Sequence, residues 1–301
     1  MMPMIRTFDD LIRSLAKRGT RKRLAVVNGI DTHTQRAVEM ALDEGLVDVI
    51  FVGGQEVIGR NQAMEHYHNH VAYMGADSRA DAAHKAVGLV RDGKADMLMK
   101  GRINTDDLLR AVLDKKDGML APGSVLTQIT LAEIPDYDHM IMFTDAAVIP
   151  FPTQKQRMEQ VKYVVKAWHI MGVDKPKVSL IHCSEKTDGR HFPYTEGYKD
   201  IINAAREDVF GPCIIDGPLD LTTSLSPEAL AAKGLTSPLE GHADALIFPN
   251  IEVGNVFHKA LTFFAHARTA SVLQGTLAPV VLPSRGDTTE AKFLSIALAA
   301  L

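Results

Sequence analysis

Short apolar runs that alternate with helical patterns are the feature that most restricts the fold of this chain. Leu24–Val27, Val47–Val52 and Ala95–Met99 have the length and composition of buried strands. Helical patterns cover Asp31–Glu44 and Ser78–Arg91, with short polar loops on either side. Strands that alternate with helices in this way predict an α/β fold, with mostly parallel sheets and helices on both faces.

The alternation is interrupted once, between Gly118 and Pro152. Two strand patterns, Val125–Leu131 and Met140–Phe143, follow each other there with no helix between them, which predicts an antiparallel pair. Further strands and helices then follow, including predicted helices at 153–171, 194–210 and 253–266 and a last strand within 276–282. We therefore predict two α/β lobes, residues 1–150 with 276–301 and residues 151–275, with a ligand in the cleft between them.

Charge and hydropathy exclude some classes of partner. The net charge is −4 at pH 7 and the isoelectric point is about 6.3, whereas a nucleic-acid-binding protein normally shows a basic face. No apolar run approaches the length of a membrane span, and Asp9 and Asp10 interrupt the N-terminal region where a signal peptide would be apolar. We expect a cytoplasmic protein that binds neither nucleic acid nor membrane. A local basic pocket for small anions remains compatible with this charge.

A turn near the C-terminal end of the sequence has the pattern of an anion-binding site. The run Val280–Leu282 predicts a buried strand, Pro283 ends it, and Ser284-Arg285-Gly286 leads into a helix that Asp287 or Thr288 could cap. A helix N-terminus, a hydroxyl and a guanidinium together suit phosphate oxygens. The local pattern equally fits an ordinary strand-to-helix turn with Arg285 in a surface ion pair.

Other predicted strand ends also carry polar groups, and open α/β sheets bind ligands at such positions. Lys100, together with Thr105 and Arg110, could bind phosphate, although aspartates one turn away on either side of Arg110 also fit a plain helix surface. Asn255 and Lys259 lie one turn apart near the start of a predicted helix, which alone is a weak signal.

Several common sites are missing from the sequence. No Gly-x-Gly-x-x-Gly motif follows a predicted strand, so the dinucleotide fingerprint is lacking. His66, His68 and His70 alternate as on one face of a strand, but no carboxylate or thiolate ligand set accompanies them, so we predict a polar surface strand and no metal. A metal-dependent hydroxyacid dehydrogenase would need a carboxylate trio and a nicotinamide site, neither of which the sequence supplies.

An ordered set of motifs runs through nearly the whole chain, from Leu24 to Leu301. Its members are Lys100-Gly-Arg-Ile-Asn-Thr105 with Arg110, Asp216–Leu219, Gly241–Asp244, Phe248–Asn250, Gly254-Asn255 with Lys259, and Ser284-Arg285-Gly286. This set resembles the phosphate acetyltransferase and phosphate butyryltransferase family. The length of the chain and its C-terminal pattern look more like the butyryl branch.

The resemblance implies a two-lobe fold related to isocitrate dehydrogenase, with the active site in the interlobe cleft. It implies reversible transfer of a short acyl group, butyryl first and acetyl as the alternative, between CoA and inorganic phosphate in a ternary complex. CoA is then a substrate, and neither a metal, a further cofactor nor a covalent acyl-enzyme is implied. The family also tends to form homo-oligomers.

The resemblance also suggests roles for individual residues. It implies catalytic roles for Ser284, Arg285 and Asp287. The residues expected to bind phosphate or CoA are Lys100, Thr105, Arg110, Asn255, Lys259, Gly286 and Glu290. Ala291 stands where the acetyl branch has an aspartate that assists the CoA thiol, which leaves Asp287, Glu290 or simple positioning of the thiolate as alternatives. A non-catalytic sensor of CoA or acyl phosphate is the competing class, and the presence of Ser284 and Arg285 argues against it.

Overall fold

The computed structural model describes residues 4–60, 64 and 66–301. Residues up to 126 form α1 (Phe8–Arg18), β1 (Lys22–Val27), α2 (Thr32–Asp43), β2 (Val47–Gly53), α3 (Gln55–Arg60), β3 (Val71–Gly75), α4 (Arg79–Arg91), β4 (Met97–Lys100) and α5 (Thr105–Val112).

The remaining residues form a second series of elements. These are β5 (Thr127–Glu133), β6 (Ile141–Thr144), α6 (Gln154–Ile170), β7 (Lys177–Ile181), a short 3₁₀ helix (Pro193–Thr195), α7 (Tyr198–Arg206), β8 (Ile214–Leu219), α8 (Leu221–Leu225), α9 (Pro227–Ala232), β9 (Ala245–Ile247), α10 (Ile251–Phe263), β10 (Arg268–Gln274), β11 (Val280–Val281) and α11 (Thr289–Ala299).

The elements group into two compact units. Residues 8–126 and 268–301 form one, called the split unit here, and residues 4–7 and 127–267 form the other, called the central unit. The sequence prediction divided the chain at 150 and 275 instead. The division lies before β5 because β5 pairs with β6, and β6 pairs in turn with β9 of the central unit.

The sheet of the split unit has the strand order β3-β2-β1-β4-β11-β10. All neighbours are parallel except β11 and β10, which are antiparallel. Val27 of β1 lies opposite Lys100 of β4, and Val281 of β11 lies opposite Met99. The carboxyl ends of β1, β4 and β11 therefore share one edge of the sheet, which is where ligands bind in open α/β folds.

Helices cover both faces of this sheet, as the sequence predicts. Helix α2 connects β1 to β2 in one direction across the sheet, and α4 leads from β3 back past β1 to β4 in the other. Right-handed crossovers in opposite directions place the two helices on opposite faces. Helix α11 packs on α2 and β10, and α5 packs on α4. The strands between them are buried, with Leu24–Val27 and Met97–Met99 wholly inaccessible.

The sheet of the central unit has the order β5-β6-β9-β7-β8. The predicted antiparallel pairing of the first two strands is confirmed, and the other neighbours are parallel. Phe143, Leu246 and Phe248 lie at the centre of its core, where Phe143 makes an edge contact with Phe248 at 5.9 Å between ring centroids.

Three predicted elements differ from the structure. His66, His68 and His70, expected to alternate on one face of a polar surface strand, lie in turns before β3, which begins at Val71. The helix expected at 194–210 is a 3₁₀ turn followed by α7, which ends at Arg206, and Asp208 beyond it has a left-handed φ of 60°. The strand expected within 276–282 is only the two-residue β11, whereas β10 at Arg268–Gln274 was missed. Gly275, with φ 97°, ends β10 and allows the chain to turn back towards β11.

Candidate active site

A pocket of about 460 Å³ opens at the carboxyl ends of β1, β4 and β11 in the split unit. Its wall comes from the loops that follow these three strands, with contributions from the start of α4 and from α11. The lining residues are Asp31, His33, Arg79, Lys100, Gly101, Arg102, Ile103, Asn104, Pro283, Ser284, Arg285 and Lys292.

The lining is strongly cationic although the chain as a whole is acidic. Five of these residues are arginine or lysine, and one is a carboxylate. The formal net charge of the protein is −4. Cations gathered in a concave, partly desolvated site raise the local concentration of anions more than the same charges would on a flat surface. The pocket is therefore suited to a small anion of high charge.

A close backbone approach fixes the loop after β4. The amides of Gly101 and Arg102 donate to the carbonyl oxygens of Val27 and Asn28 at 2.9 and 2.8 Å. The Asn28 side chain donates to the Arg102 carbonyl at 2.8 Å. A Cβ atom on Gly101 would lie 2.6 Å from both the Val27 and the Asn28 oxygen, so only glycine fits. The loop that presents Arg102 and Asn104 is thus held against the end of β1.

Lys100 brings a buried ammonium group to the floor of the pocket. Its side chain is buried, and Nζ donates to the carbonyl oxygen of Pro283 at 3.3 Å. Burial lowers the pKa of Lys100, and the positive charges of Lys292 and Arg285 lower it further. A cation that is short of compensating charge binds an incoming anion well, because the anion relieves this repulsion.

Lys292 reaches the same pocket from α11, where Asp31 neutralises it. Its Nζ lies 3.1 Å from the Asp31 carboxylate and 3.3 Å from the Thr34 hydroxyl. Asp31 also caps α2 by accepting from the Thr34 amide. Burial alone would raise the pKa of Asp31, but the hydrogen bonds from Thr34 and Lys292 outweigh it and hold the pKa below its usual value. This ion pair therefore ties α11 to the start of α2.

The turn after β11 presents Ser284 and Arg285. An Asp287 carboxylate oxygen accepts from the Ser284 amide at 2.8 Å, and the Asp287 amide donates back to the Ser284 carbonyl at 3.2 Å. The Arg285 guanidinium donates to the Asn104 side-chain oxygen at 3.1 Å. Of the two predicted caps of α11, the structure selects Thr288, whose hydroxyl accepts from the amide of Ala291.

Asn104 supports Arg285 instead of capping its own helix. It occupies the N-cap position of α5, yet its side chain makes no capping hydrogen bond there. Its oxygen accepts from Arg285, and both residues line the pocket. Arg285 thus rests on a neutral partner, so its charge stays available to an anion.

The structure brings together part of the set that the sequence predicted. Lys100, Ser284 and Arg285 line one pocket, and Gly286 and Asp287 belong to the same turn. Thr105 is the first residue of α5 and directly follows the lining residue Asn104.

Two other predicted residues lie outside the lining of this pocket. The Arg110 side chain is 79% exposed and pairs with Asp107 one turn earlier in α5 at 3.5 Å, which matches the helix-surface alternative. The Glu290 carboxylate pairs with Arg268 at 2.9 Å.

Asn255 and Lys259 lie on α10 of the central unit. The Asn255 amide donates to the carbonyl oxygen of Ala146 at 3.1 Å, and Lys259 is exposed. The neighbouring Gly254 lets α10 approach the backbone, since a Cβ there would lie 2.2 Å from the Asp145 oxygen. The predicted binding roles of both residues stay predictions.

Sequence reasoning missed several lining residues. The sequence patterns place Asp31, His33 and Arg79 within predicted helices and indicate no role for Arg102 or Lys292. The available signal was position, because Asp31 and His33 follow β1 just as Arg102 follows β4. Once these strands are taken as parallel neighbours, their following loops must share an edge.

Within residues 4–60, 64 and 66–301, no group of three or more His, Cys, Asp or Glu side chains is arranged to hold a metal ion. Likewise, no helix in the described part of the chain combines the length and apolarity needed to cross a membrane.

The family model described as Phosphate acetyl/butaryl transferase matches residues 69–300. The chain belongs to this family, and it is an acyltransferase. It is 36% identical to a phosphate butyryltransferase from Clostridium acetobutylicum over 99% of this chain and 98% of that protein. It is 35% identical to a phosphate acetyltransferase from Thermotoga maritima over 94% of this chain and 96% of that protein.

Solved structures confirm the fold class. A branched-chain phosphotransacylase from Enterococcus faecalis V583 superposes with a TM-score of 0.82 at 30% identity, covering 92% of this chain and 97% of that one. A 4-hydroxythreonine-4-phosphate dehydrogenase from Klebsiella pneumoniae superposes with a TM-score of 0.53 at 12% identity, covering 92% of this chain and 98% of that one, which extends the fold relation to dehydrogenases.

Proposed function

We propose that this enzyme transfers a short acyl group reversibly between CoA and inorganic phosphate, with butyryl as the preferred group. Two phosphate butyryltransferases, at 36% and 34% identity, align over 99% of the chain and support this choice. A phosphate acetyltransferase at 35% identity supports acetyl as the alternative. CoA is a substrate in this proposal, and the reaction uses no metal and no further cofactor.

The observation that carries the proposal is the pocket that joins Lys100, Ser284 and Arg285. Phosphate is small, carries one or two negative charges near neutral pH, and must lose much of its hydration before it can attack a thioester. A buried ammonium group and a guanidinium supply the compensating charge. In the part of the chain that the structure describes, neither group forms an ion pair with a carboxylate, so both can bind the anion directly.

In the forward direction, a phosphate oxygen attacks the acyl carbonyl carbon and CoA leaves as the thiolate. Arg285 holds the phosphate through its planar fork, and Lys100 neutralises it from the floor of the pocket. We assign to Ser284, which lines the pocket, a hydrogen bond to the thioester oxygen as negative charge develops on it. The acyl group then passes from sulfur to oxygen in one ternary complex, with no acyl-enzyme.

The proton of the CoA thiol in the reverse direction needs an acceptor, and the structure favours His33 for this role. Glu290 is paired with Arg268, and Asp287 accepts from the Ser284 amide. His33 lines the pocket, and its Nδ1 lies 2.8 Å from the Thr289 hydroxyl, which orients the ring. A neutral histidine ring has a nitrogen that can accept a proton, and histidine is the commonest general base in enzymes.

The remaining predicted residues enter the proposal as CoA-binding groups. Thr105 and Gly286 lie beside residues that line the pocket. The Arg110 guanidinium is exposed, so it can bind a CoA phosphate at the protein surface. Asn255 and Lys259 on α10 complete this set of proposals.

The test is CoA release from acyl-CoA substrates of different chain length, measured with and without phosphate. We expect release that depends on phosphate, needs no nicotinamide and survives a metal chelator, with kcat/KM for butyryl-CoA above that for acetyl-CoA. Release that is independent of phosphate, or absent with every short acyl-CoA, would contradict the proposal. Preference for acetyl-CoA would select the alternative.

A further inference from the structure

Asp31 carries the one acidic group among the described residues that line the pocket around Lys100 and Arg285. Its carboxylate lies 3.1 Å from the ammonium group of Lys292, which is itself buried. A carboxylate in the wall of an anion-binding pocket works against the ligand, because like charges repel each other. The position of Asp31 therefore calls for a role that its negative charge can fill.

The capping of α2 does not require the charge of Asp31. One carboxylate oxygen, Oδ1, accepts both from the Thr34 amide at 2.9 Å and from Lys292 at 3.1 Å. Asparagine caps a helix about as well as aspartate does, because the cap needs an acceptor oxygen and no net charge. The charge adds only a modest attraction to the helix dipole. Its main effect is therefore on the cations of the pocket.

The charge of Asp31 reaches Lys100 on the floor of the pocket. Burial lowers the pKa of Lys100, and the positive charges of Lys292 and Arg285 lower it further. The negative charge of Asp31 acts on this pKa in the opposite direction. An anion bound to Lys100 stands in the same field, so Lys292 attracts it and Asp31 repels it.

We propose that Asp31 is a built-in counter-ion that limits the affinity of the pocket for phosphate. Before phosphate binds, Asp31 balances the charge of Lys292. Once phosphate lies against Lys100 and Arg285, the same carboxylate repels it, so phosphate is held less tightly than the cations alone would hold it. Asp31 is thus a positioning residue that acts through Lys292 and through its own field. This role rests on the proposed function, which places phosphate in this pocket.

A limit on affinity suits a reversible acyl transfer. Phosphate enters the pocket before the transfer and acyl phosphate leaves it afterwards, and both present phosphoryl oxygens to the same cations. Binding that strengthens reactant, product and transition state equally lowers KM without raising kcat. Tighter binding would also slow the departure of acyl phosphate, and product release limits turnover in many enzymes.

Two single substitutions change the charge of the pocket in opposite directions. Asp31→Asn removes a negative charge and keeps an acceptor oxygen for the cap of α2, so it should lower the Kd for phosphate roughly tenfold, the effect of a unit charge about 10 Å away at an effective dielectric constant of about 20. Lys292→Gln removes a positive charge and should raise the Kd roughly tenfold for the same reason. The double variant restores the net charge, so its Kd should lie within about threefold of the wild type.

The experiment is isothermal titration of the full-length protein with inorganic phosphate, together with the KM for phosphate in the CoA-release assay. Asp220→Asn is the matched control in the central unit. Asp220 caps α8 by accepting from the Thr223 amide at 2.7 Å, and it pairs with Lys233 at 2.6 Å. This variant also loses an aspartate–lysine pair at a helix cap, but it should leave the Kd for phosphate unchanged. Circular dichroism checks that each variant is folded.

The direction of the changes separates a counter-ion from a merely structural ion pair. Loss of a structural pair would weaken phosphate binding in both single variants, and that result overturns the proposal, as does an unchanged Kd in Asp31→Asn or a double variant that stays far from the wild type. If Lys292→Gln does not fold, Asp31→Asn decides alone, because damage to the pocket does not tighten binding.

The same measurements keep this proposal apart from the proposed function. A wild type that shows no phosphate-dependent release of CoA refutes the function and the role of Asp31 with it. An active wild type whose phosphate affinity does not respond to Asp31→Asn refutes the role of Asp31 alone.

Discussion

Replacing Arg285 by alanine tests the assignment of the pocket most directly. The Arg285 side chain is exposed, and its guanidinium donates a hydrogen bond to the neutral Asn104 side chain at 3.1 Å. Losing that bond costs the fold about 0.5–1.5 kcal/mol. For a chain of this size, such a loss lowers Tm by a few °C at most.

The effect of the same change on the reaction should be much larger. If the guanidinium donates two charge-assisted hydrogen bonds to phosphate, each contributes about 1.5–3 kcal/mol, or about 3–6 kcal/mol together. This corresponds to a loss of roughly 10²–10⁴ in kcat/KM for phosphate. Arg285→Lys keeps the charge without the planar fork, so its activity should fall between those of the wild type and the alanine variant.

The assay is phosphate-dependent CoA release at several phosphate concentrations, with the unfolding temperature recorded for each variant. Arg36→Ala is the matched control, because Arg36 is an exposed arginine on α2 that pairs with Glu39 at 3.0 Å. It should leave kcat/KM within about twofold of the wild type. If Arg285→Ala also stays that close to the wild type, Arg285 does not bind phosphate and the proposed site is refuted.

Three other changes test the pocket and the loop behind it. Burial and the charge of Lys292 lower the pKa of Lys100, so the affinity for phosphate should fall as pH rises through that lowered pKa. Lys100→Arg should remove this loss of affinity at alkaline pH, measured as the KM for phosphate against pH. An unchanged pH profile in the variant would exclude Lys100 as the source of the loss. Gly101→Ala should lower the free energy of unfolding by about 1–3 kcal/mol, since the new Cβ would lie 2.6 Å from backbone oxygens. Gly88→Ala is the control, because a Cβ at this position of α4 meets open space, and it should raise the free energy of unfolding by up to about 1 kcal/mol. Thermal unfolding measures both changes. His33→Gln should lower kcat by roughly 10²-fold for acyl transfer from acyl phosphate to CoA, and a kcat near that of the wild type would show that another group takes the proton.

The sequence predicts most of the split unit because its strands are short apolar runs with clear ends. Leu24–Val27 and Ala95–Met99 are recognisable from composition alone, and their parallel pairing follows from the helices between them. β10 was missed because Arg268–Gln274 mixes polar and apolar residues without a clean alternation. β11 was overestimated because Leu282 extends the apolar run past the end of the pairing.

The candidate site could be predicted only in part, since its contacts join distant parts of the chain. Lys100 and Arg285 were predicted from their position at strand ends, and they line one pocket. The pair between Lys292 and Asp31 spans 261 residues, and no local pattern indicates it. Arg110 lies on an exposed face of α5. Which face of this helix is exposed depends on how α5 packs, and the sequence does not show that packing.

The split unit is built from two separate stretches of the chain, and this affects the order in which its parts are synthesised. On the ribosome, residues 8–126 emerge well before residues 268–301, and the whole central unit is made in between. Until β11 arrives, β4 lacks its neighbour on that side, and the turn with Ser284 and Arg285 does not yet exist. The nascent chain can therefore complete the central unit before the sheet of the split unit has all its strands, and the proposed phosphate pocket is complete only after α11 has been made.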